Sequence, residues 1–426
     1  PSDTQYMTYE QVLRYCEEEL ASNTSQHFLV GNRVTFERFA VMMDRAKSPL
    51  DILVAWTQIR SLIKGSINAC MLGRPLSREE YLNLGIGQCR LPSKLRVLAY
   101  DIYEEYERAT RGALWDDCDR ALYLLRACFD ISTASEEWAA GGRASIHPKA
   151  FHLVYVDEVQ DFTQIELALL FMLGSSGRGF FTGDDAQSVV PGVEFRFADF
   201  RSVVYHLTGN NKKLLPDKPE TLRVNFRSHT GILNVASTVL RTMVKWFPEG
   251  TVKIFDEGVF LGPRPTLLTA RDDFDKLLAS DERLVVVTTE AGFERVRSQC
   301  DANRIVLTIE DAKGLEFSDV VMADFFSSLP DKIQQPVKAV LSGDKDQTGY
   351  NSPPEVEGVL KLLYTGITRG VDRLVFTESL KTPAGDSFFR RLLREDLAVV
   401  HQVTGGTFMT ADEWRARGIQ FALFSE

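Results

Sequence analysis

The stretch at 151–161, FHLVYVDEVQD, limits what this chain can fold into more than any other. A short, mostly apolar run passes without a turn into two acids, then Gln160 and Asp161. An apolar run of that length bounded by polar residues reads as a buried strand. Thr163-x-x-Glu166 follows as a capping-box pattern that opens a helix. Similar short runs at 179–182, 284–288, 305–309, 320–323 and 374–377 alternate with helical patterns, which predicts an α/β fold built on parallel sheet. In open α/β sheets ligands bind beyond the carboxyl ends of strands, where Asp157 and Glu158 fall. A carboxylate there can hold Mg²⁺, and its neighbour can orient or deprotonate a water. A strand ending in merely solvated acids is the plainer alternative.

Other segments carry chemistry of the same kind. The run GFFT at 179–182 ends in Gly183-Asp184-Asp185-Ala186-Gln187-Ser188, and Gln187 can donate to a phosphate oxygen while accepting from water. VEFRFADF at 193–200 sets Arg196 between Phe195 and Phe197. Such interleaving can stack bases and contact a sugar-phosphate backbone, or it can be core phenylalanine with a rim arginine. LRVNFRSH at 222–229, TIEDAKGLEF at 308–317 and LYTGITRG at 363–370 bring in Arg227 and Arg369. Behind two acidic strand ends, this pair suggests phosphate neutralisation in phosphoryl transfer.

The first 150 residues read as mostly helical. In DILVAWTQIRSLIKG at 51–65, Ile52, Trp56, Ile59 and Ile63 mark one buried helical face. Ser77-x-x-Glu80 is a second capping box, and 93–111 and 115–129 are amphipathic helical patterns. AAGGR at 139–143 reads as a break, and the polar stretch at 330–354 as a surface loop.

Composition narrows the classes. With 49 Lys+Arg against 59 Asp+Glu the net charge is −10, which argues against coating nucleic acid by bulk charge but permits a local basic groove. The six cysteines form no C-x-x-C and the six histidines no H-x-x-x-H, so neither a zinc site nor a disulfide framework is expected, and the thiols suit a reducing compartment. No apolar run is long enough for a membrane span and the first residues carry no signal-peptide pattern, so no membrane association is expected. The expected location is intracellular, nuclear or cytoplasmic. The start at Pro1 suggests a fragment.

DEVQD, GDDAQS, NFRS, AKGLEF and YTGITRG resemble, in order, motifs II to VI of the UvrD/Rep-like superfamily 1 helicases, over roughly residues 151–380. The helical first third, with GVEFRFADF and NFRSHTGIL, is similar more narrowly to the helicase region of large TPR- and ankyrin-repeat-containing proteins, fungal relatives included. The resemblance implies an α/β fold of two RecA-like lobes of P-loop NTPase type, with ATP in the cleft between them and an all-helical insertion in the first lobe. The implied boundaries are 1–31 for part of the first lobe, 32–146 for the insertion, 147–220 for the rest of the first lobe, and 221–426 for the second lobe and tail. It implies ATP hydrolysis dependent on Mg²⁺ and coupled to movement on single-stranded nucleic acid, DNA rather than RNA. A monomer is expected, with any protein partners engaged through flanking regions.

By motif, Asp157 would bind Mg²⁺ and Glu158 would be the general base. Gln187 would sense the γ-phosphate, and Arg227 and Arg369 would stabilise the charge developing on it. Gly314 and Glu316 would lie beside the nucleotide, Lys313 beside the strand track, and Phe195 and Arg196 would contact bases and backbone. Motif I, G-x-x-x-x-G-K-[ST], does not occur in the 426 residues. Its backbone N–H groups and Lys wrap the phosphates, so this stretch alone is expected to be inactive. Two other readings stay open: a catalytically inactive helicase-fold docking module, and a two-metal nuclease built on Asp157, Asp161, Asp184 and Asp185.

Overall fold

The computed structural model describes residues 4–20, 28–43, 48–85, 87–111, 113–129, 151–174, 178–209, 215–216, 219–248, 255–268, 271–281, 283–343 and 353–401. The chain divides into two compact units, Pro1–Pro219 and Glu220–Glu426. Both are α/β with parallel strand pairing. Among the described residues no helix is long and apolar enough to cross a membrane. The break expected at 139–143 lies outside the described residues.

Unit 1 holds α1 (Tyr9–Leu20), α2 (Phe36–Met43), α3 (Ile52–Thr57), α4 (Ile67–Leu72), α5 (Arg78–Leu82), α6 (Ser93–Thr110) and α7 (Asp117–Cys128). Then follow β1 (Val154–Val156), α8 (Gln164–Leu173), β2 (Gly179–Phe181) and α9 (Phe197–Leu207), with β1 and β2 paired in parallel. Two apolar cores form. One gathers Phe39, Trp56, Ile59, Tyr81 and Tyr106 from the helical block. The other joins Leu13 of α1 and Leu124 of α7 to Val156, Ile165 and Val203 of the strand-bearing part. So α7, inside the range expected for the insertion, packs with the α/β elements. The capping boxes at Ser77 and Thr163 form as their spacing predicts, each side chain reaching the other's backbone N–H.

The pattern at 51–65 predicts one α-helix, but the helix widens after Thr57 into a π-turn, Gln58–Lys64. Its charged residues account for the change, because they reach buried carboxylates. Lys64 Nζ lies 2.6 Å from Asp116 Oδ2 and 2.6 Å from Asp119 Oδ1, and the Asp116 side chain is 1% exposed. Tyr106 donates to the same Asp116 oxygen at 2.8 Å. One turn earlier, Arg60 reaches Asp117 at 3.1 Å and Glu166 of α8 at 3.3 Å. Gly65 closes the turn: a Cβ there would lie 2.1 Å from the Arg60 carbonyl oxygen, so the close approach admits only glycine.

Unit 2 contains β3 (Val224–Asn225), α10 (Thr230–Trp246), β4 (Glu257–Gly258), β5 (Thr266–Leu268), α11 (Arg271–Ser280), β6 (Val285–Thr288), α12 (Phe293–Arg297), β7 (Val306–Thr308) and α13 (Ile309–Ala312). The chain continues through β8 (Phe317–Ala323), α14 (Asp331–Leu341), α15 (Pro354–Ile367), β9 (Gly370–Thr377), α16 (Pro383–Arg394) and β10 (Val399–His401). Its main sheet has the order β10-β5-β9-β8-β6-β7, with parallel pairing throughout. The central strands are buried on both faces, which is why 285–288 reads as unbroken VVVT rather than as an alternation. The loop expected at 330–354 is in part helix α14. Ile333, Val337, Val340 and Leu341 sit at helical spacing and are buried, and Pro336 lies within the helix. The helical period outweighs the proline there.

Removing one partner of a buried ion pair leaves an uncompensated charge. Lys64→Met is therefore expected to destabilise unit 1 by about 3–5 kcal/mol, read as a drop in urea midpoint. Burial alone would raise the Asp116 carboxyl, but Lys64, Tyr106 and Arg60 together hold it below the usual value. Its stabilisation is thus present above about pH 4 and lost as pH falls further. A Lys64→Met midpoint equal to wild type at pH 7 would contradict this account.

Candidate functional site

In unit 1, two turns are welded by one buried amide. The ladder continues past the strand ends, with Thr182 N donating to Val156 O and Val159 N to Thr182 O, both at 2.9 Å. Asp157 and Glu158 therefore emerge beside Gly183 and Asp184. Asp157 is exposed, and its Oδ1 accepts from Thr182 Oγ1 at 2.6 Å and from Glu158 N at 3.0 Å. Its other oxygen, Oδ2, lies outside these bonds. Glu158 sits at φ 56°, in the left-handed region that a non-glycine residue enters at a cost. The Gln160 amide nitrogen donates to the Glu158 carboxylate, and the Gln160 Oε1 accepts from Asp184 N at 3.0 Å. Gln160 is 0% exposed.

Gly183 is glycine because a Cβ there would lie 2.3 Å from Gln160 Oε1. Gln187 donates from Nε2 to Asp184 Oδ2 at 2.8 Å, and Asp184 Oδ1 caps Ala186 N at 3.0 Å. Both ends of GDDAQS are tied to the acid turn through Gln160, Asp184 by its N–H to Oε1 and Ser188 by its Oγ donating to the Gln160 carbonyl at 3.3 Å. Residue order alone gives Gln160 no role; the sequence shows only an amide set between Glu158 and Asp161, and its burial supplies the rest.

One exposed carboxylate suits Mg²⁺, which keeps several waters and takes one or two protein oxygens. Asp157 fits that demand. Among the described residues no three His, Cys, Asp or Glu side chains are grouped to hold a metal by themselves. Asp184 gives both oxygens to its own turn and Asp185 is buried, so the four carboxylates of the nuclease reading do not converge.

Phe195 and Arg196 stand otherwise than as a base-contacting pair. Phe195 is 3% exposed, packed in the α/β core and edge-on to Phe197 with ring centroids 5.1 Å apart. Neither face of its ring is open to a base. Arg196 forms a two-pronged pair with Asp199 at 3.0 and 2.9 Å at the start of α9. Of the two readings open in the sequence, core phenylalanine and rim arginine is the one the packing carries.

In unit 2, the three arginine- and glycine-bearing segments meet at the amino ends of β8 and β9. Asn225 Oδ1 accepts from Arg227 N at 2.9 Å and Ser228 N at 3.0 Å, which folds NFRS into a tight turn. Ser228 Oγ donates to Gly370 O at 2.7 Å, and Phe317 N to Arg369 O at 2.9 Å. The Arg227 guanidinium pairs with Glu316, and both side chains are about half exposed. Lys313 is half-buried at the end of α13, and Gly314 turns the chain at φ 76°. Phe226, beside Arg227, is 72% exposed, an aromatic face in open solvent that sequence reasoning missed.

Arg369 is different: it is 1% exposed. It donates to Thr365 O at 2.9 Å, Leu315 O at 2.9 Å and Thr368 Oγ1 at 3.1 Å. It thus holds the AKGLEF turn against its own helix instead of presenting its charge to solvent.

Truncating a buried phenylalanine leaves a cavity. Phe195→Ala is expected to lower stability by about 3–5 kcal/mol in urea unfolding. A variant with unchanged stability but weaker binding to single strands would show instead that the ring serves a base.

The chain is similar in part to a known protein. Over 412 aligned positions the chain is 32% identical to TPR and ankyrin repeat-containing protein 1 of Homo sapiens. The match takes in 84% of this chain but only 14% of that protein. No family model matches the chain.

Proposed function

We propose that this chain is the greater part of a UvrD-like, ATP-driven helicase or translocase core, in which each unit is a RecA-like lobe. The observation that carries the reading is the acid turn of unit 1, where an exposed Asp157 and a strained Glu158 stand at the carboxyl end of a parallel strand, locked by buried Gln160 to the turn bearing Gln187. A left-handed carboxylate residue held in place by a buried amide is the kind of strain that persists where function over-determines it. On this reading Asp157, whose Oδ2 lies outside the bonds of its own turn, would hold Mg²⁺, which would supply positive charge against the phosphates. Glu158 accepts the proton of the attacking water. Gln187 orients toward the terminal phosphate. In unit 2, Arg227 carries an exposed cation in a weak pair with Glu316, a group able to stabilise charge developing on a phosphate. Phe226 offers its exposed ring to the nucleotide base.

The phosphate-wrapping loop G-x-x-x-x-G-K-[ST] is not in this stretch, so hydrolysis requires a protein that supplies it. A second reading has its own support. Arg369 spends its donors on backbone carbonyls, which favours a helicase-type fold that docks nucleic acid or protein without turnover.

The test is Glu158→Gln in the protein carrying its phosphate loop. The expected result is loss of ATP turnover by at least about 100-fold with nucleotide binding retained, as removal of a general base predicts. Turnover equal to wild type would remove the assignment and leave the docking reading.

A further inference from the structure

We propose that a basic cleft at the far end of β9 in unit 2 binds the phosphate backbone of nucleic acid, independently of base sequence. The cleft measures about 520 Å³ and is lined from α14, α16 and the loop before α16. Five of its side chains are cationic, namely Lys338, Lys381, Arg390, Arg391 and Arg394, against one carboxylate, Asp386. That surplus sits in a chain whose net charge is −10, so the positive potential is local and must be built deliberately by these two helices.

The spacing is helical on both walls. Residues 335, 338 and 342 recur at three and four along α14 and its end, and 387, 390, 391 and 394 do the same along α16. Arg390, Arg391 and Arg394 therefore form one cationic stripe along α16, and Lys338 of α14 and Lys381 of the preceding loop add to it across the cleft. Arg391 is anchored by Thr242 at 2.9 Å and Glu395 at 2.9 Å, and Arg394 by Ser342 O at 3.2 Å, which fixes the floor and one end. Asp386 approaches Arg390 only at 3.4 Å, with the Arg390 side chain 80% exposed. Lys338 and Lys381 are exposed and make no ion pair among the described residues.

The lining also indicates which polyanion fits. Besides its charged groups it offers Thr382 and Gln335, polar side chains of the kind that contact phosphate and sugar, while the Ser342 and Ser387 hydroxyls donate to Ala339 O and Lys338 O, and it has no aromatic or large aliphatic side chain. A protein-docking site needs apolar anchors at its centre, and a base-stacking site needs rings. This cleft has neither, so it reads charge and not sequence. Its position separates it from the motif cluster. Arg369 precedes β9 and the cleft follows it, and the eight residues of the strand span roughly 26 Å. The inference does not depend on the ATPase reading.

The test uses the full chain, with fluorescence anisotropy on labelled oligonucleotides of ~20 nucleotides, single-stranded and duplex, at several salt concentrations. Combined Lys338→Ala, Lys381→Ala and Arg390→Ala substitution is expected to weaken binding about tenfold or more for every sequence and to lower the salt slope by about 2. Lys381→Glu, on the loop, gives the same direction without altering either helix. Unchanged affinity and slope in both variants would overturn the proposal. So would a polyglutamate peptide or phosphatidylserine vesicles that bind more tightly than either oligonucleotide and lose binding in the same variants. Loss of turnover in Glu158→Gln leaves these binding curves where they are, so the two readings fail separately.

Discussion

The arrangement of unit 1 depends on a buried charge network that ties the helical block to the strand-bearing part. Lys64 meets Asp116 at 2.6 Å with both side chains almost wholly enclosed, and Arg60, one turn away, reaches Glu166 of the helix that follows the acid turn. Glu166 is itself the partner of Thr163 in the capping box, so the network ends on the helix start five residues from Glu158. Buried ions hold this geometry because their desolvation is recovered only when every partner is in place. The same π-turn carries Ser61, which donates to Gly192 O at 2.7 Å and accepts from Glu194 N at 2.8 Å. One widened turn thus positions both the acid helix and the segment leading to α9.

The site chemistry follows from what those anchors leave open. Asp157 keeps an oxygen toward solvent, and Glu158 is held in a backbone conformation it would not choose alone. In unit 2 the motif turns are knitted by backbone bonds to Gly370 and Arg369, and Arg227 and Phe226 remain outward. The exposed pair Arg227–Glu316 is worth little as a stabiliser, since two half-exposed side chains in water gain at most about 1 kcal/mol. A weak pair is one that a phosphate can displace.

Much of this was legible in residue order and some was not, for physical reasons. Strands β1, β2 and β6 to β9, the two capping boxes and the clustering of GDDAQS beside DEVQD follow from period and from polar residues placed where strands end, whereas the two- and three-residue strands β3, β4, β5 and β10 are too short to show a period. Phe195 and Arg196 misled because alternation of aromatic and cation looks the same on a binding face and at a core rim. Only burial of the ring separates them. Arg369 sits in a motif that suggests an outward cation, yet its guanidinium turns inward and donates to Thr365 O, Leu315 O and Thr368 Oγ1. Pro336 hid α14, although Ile333, Val337 and Val340 keep the helical period on either side. The widening at 58–64 has no signature in apolar spacing, because the cause is charge pairing with residues more than 50 positions away.

The most direct measurement is ATP hydrolysis by the protein produced with its phosphate loop, with and without single-stranded DNA, in the presence of Mg²⁺. The account predicts hydrolysis that rises when the strand is added. Nucleic-acid binding with no hydrolysis under either condition would contradict it.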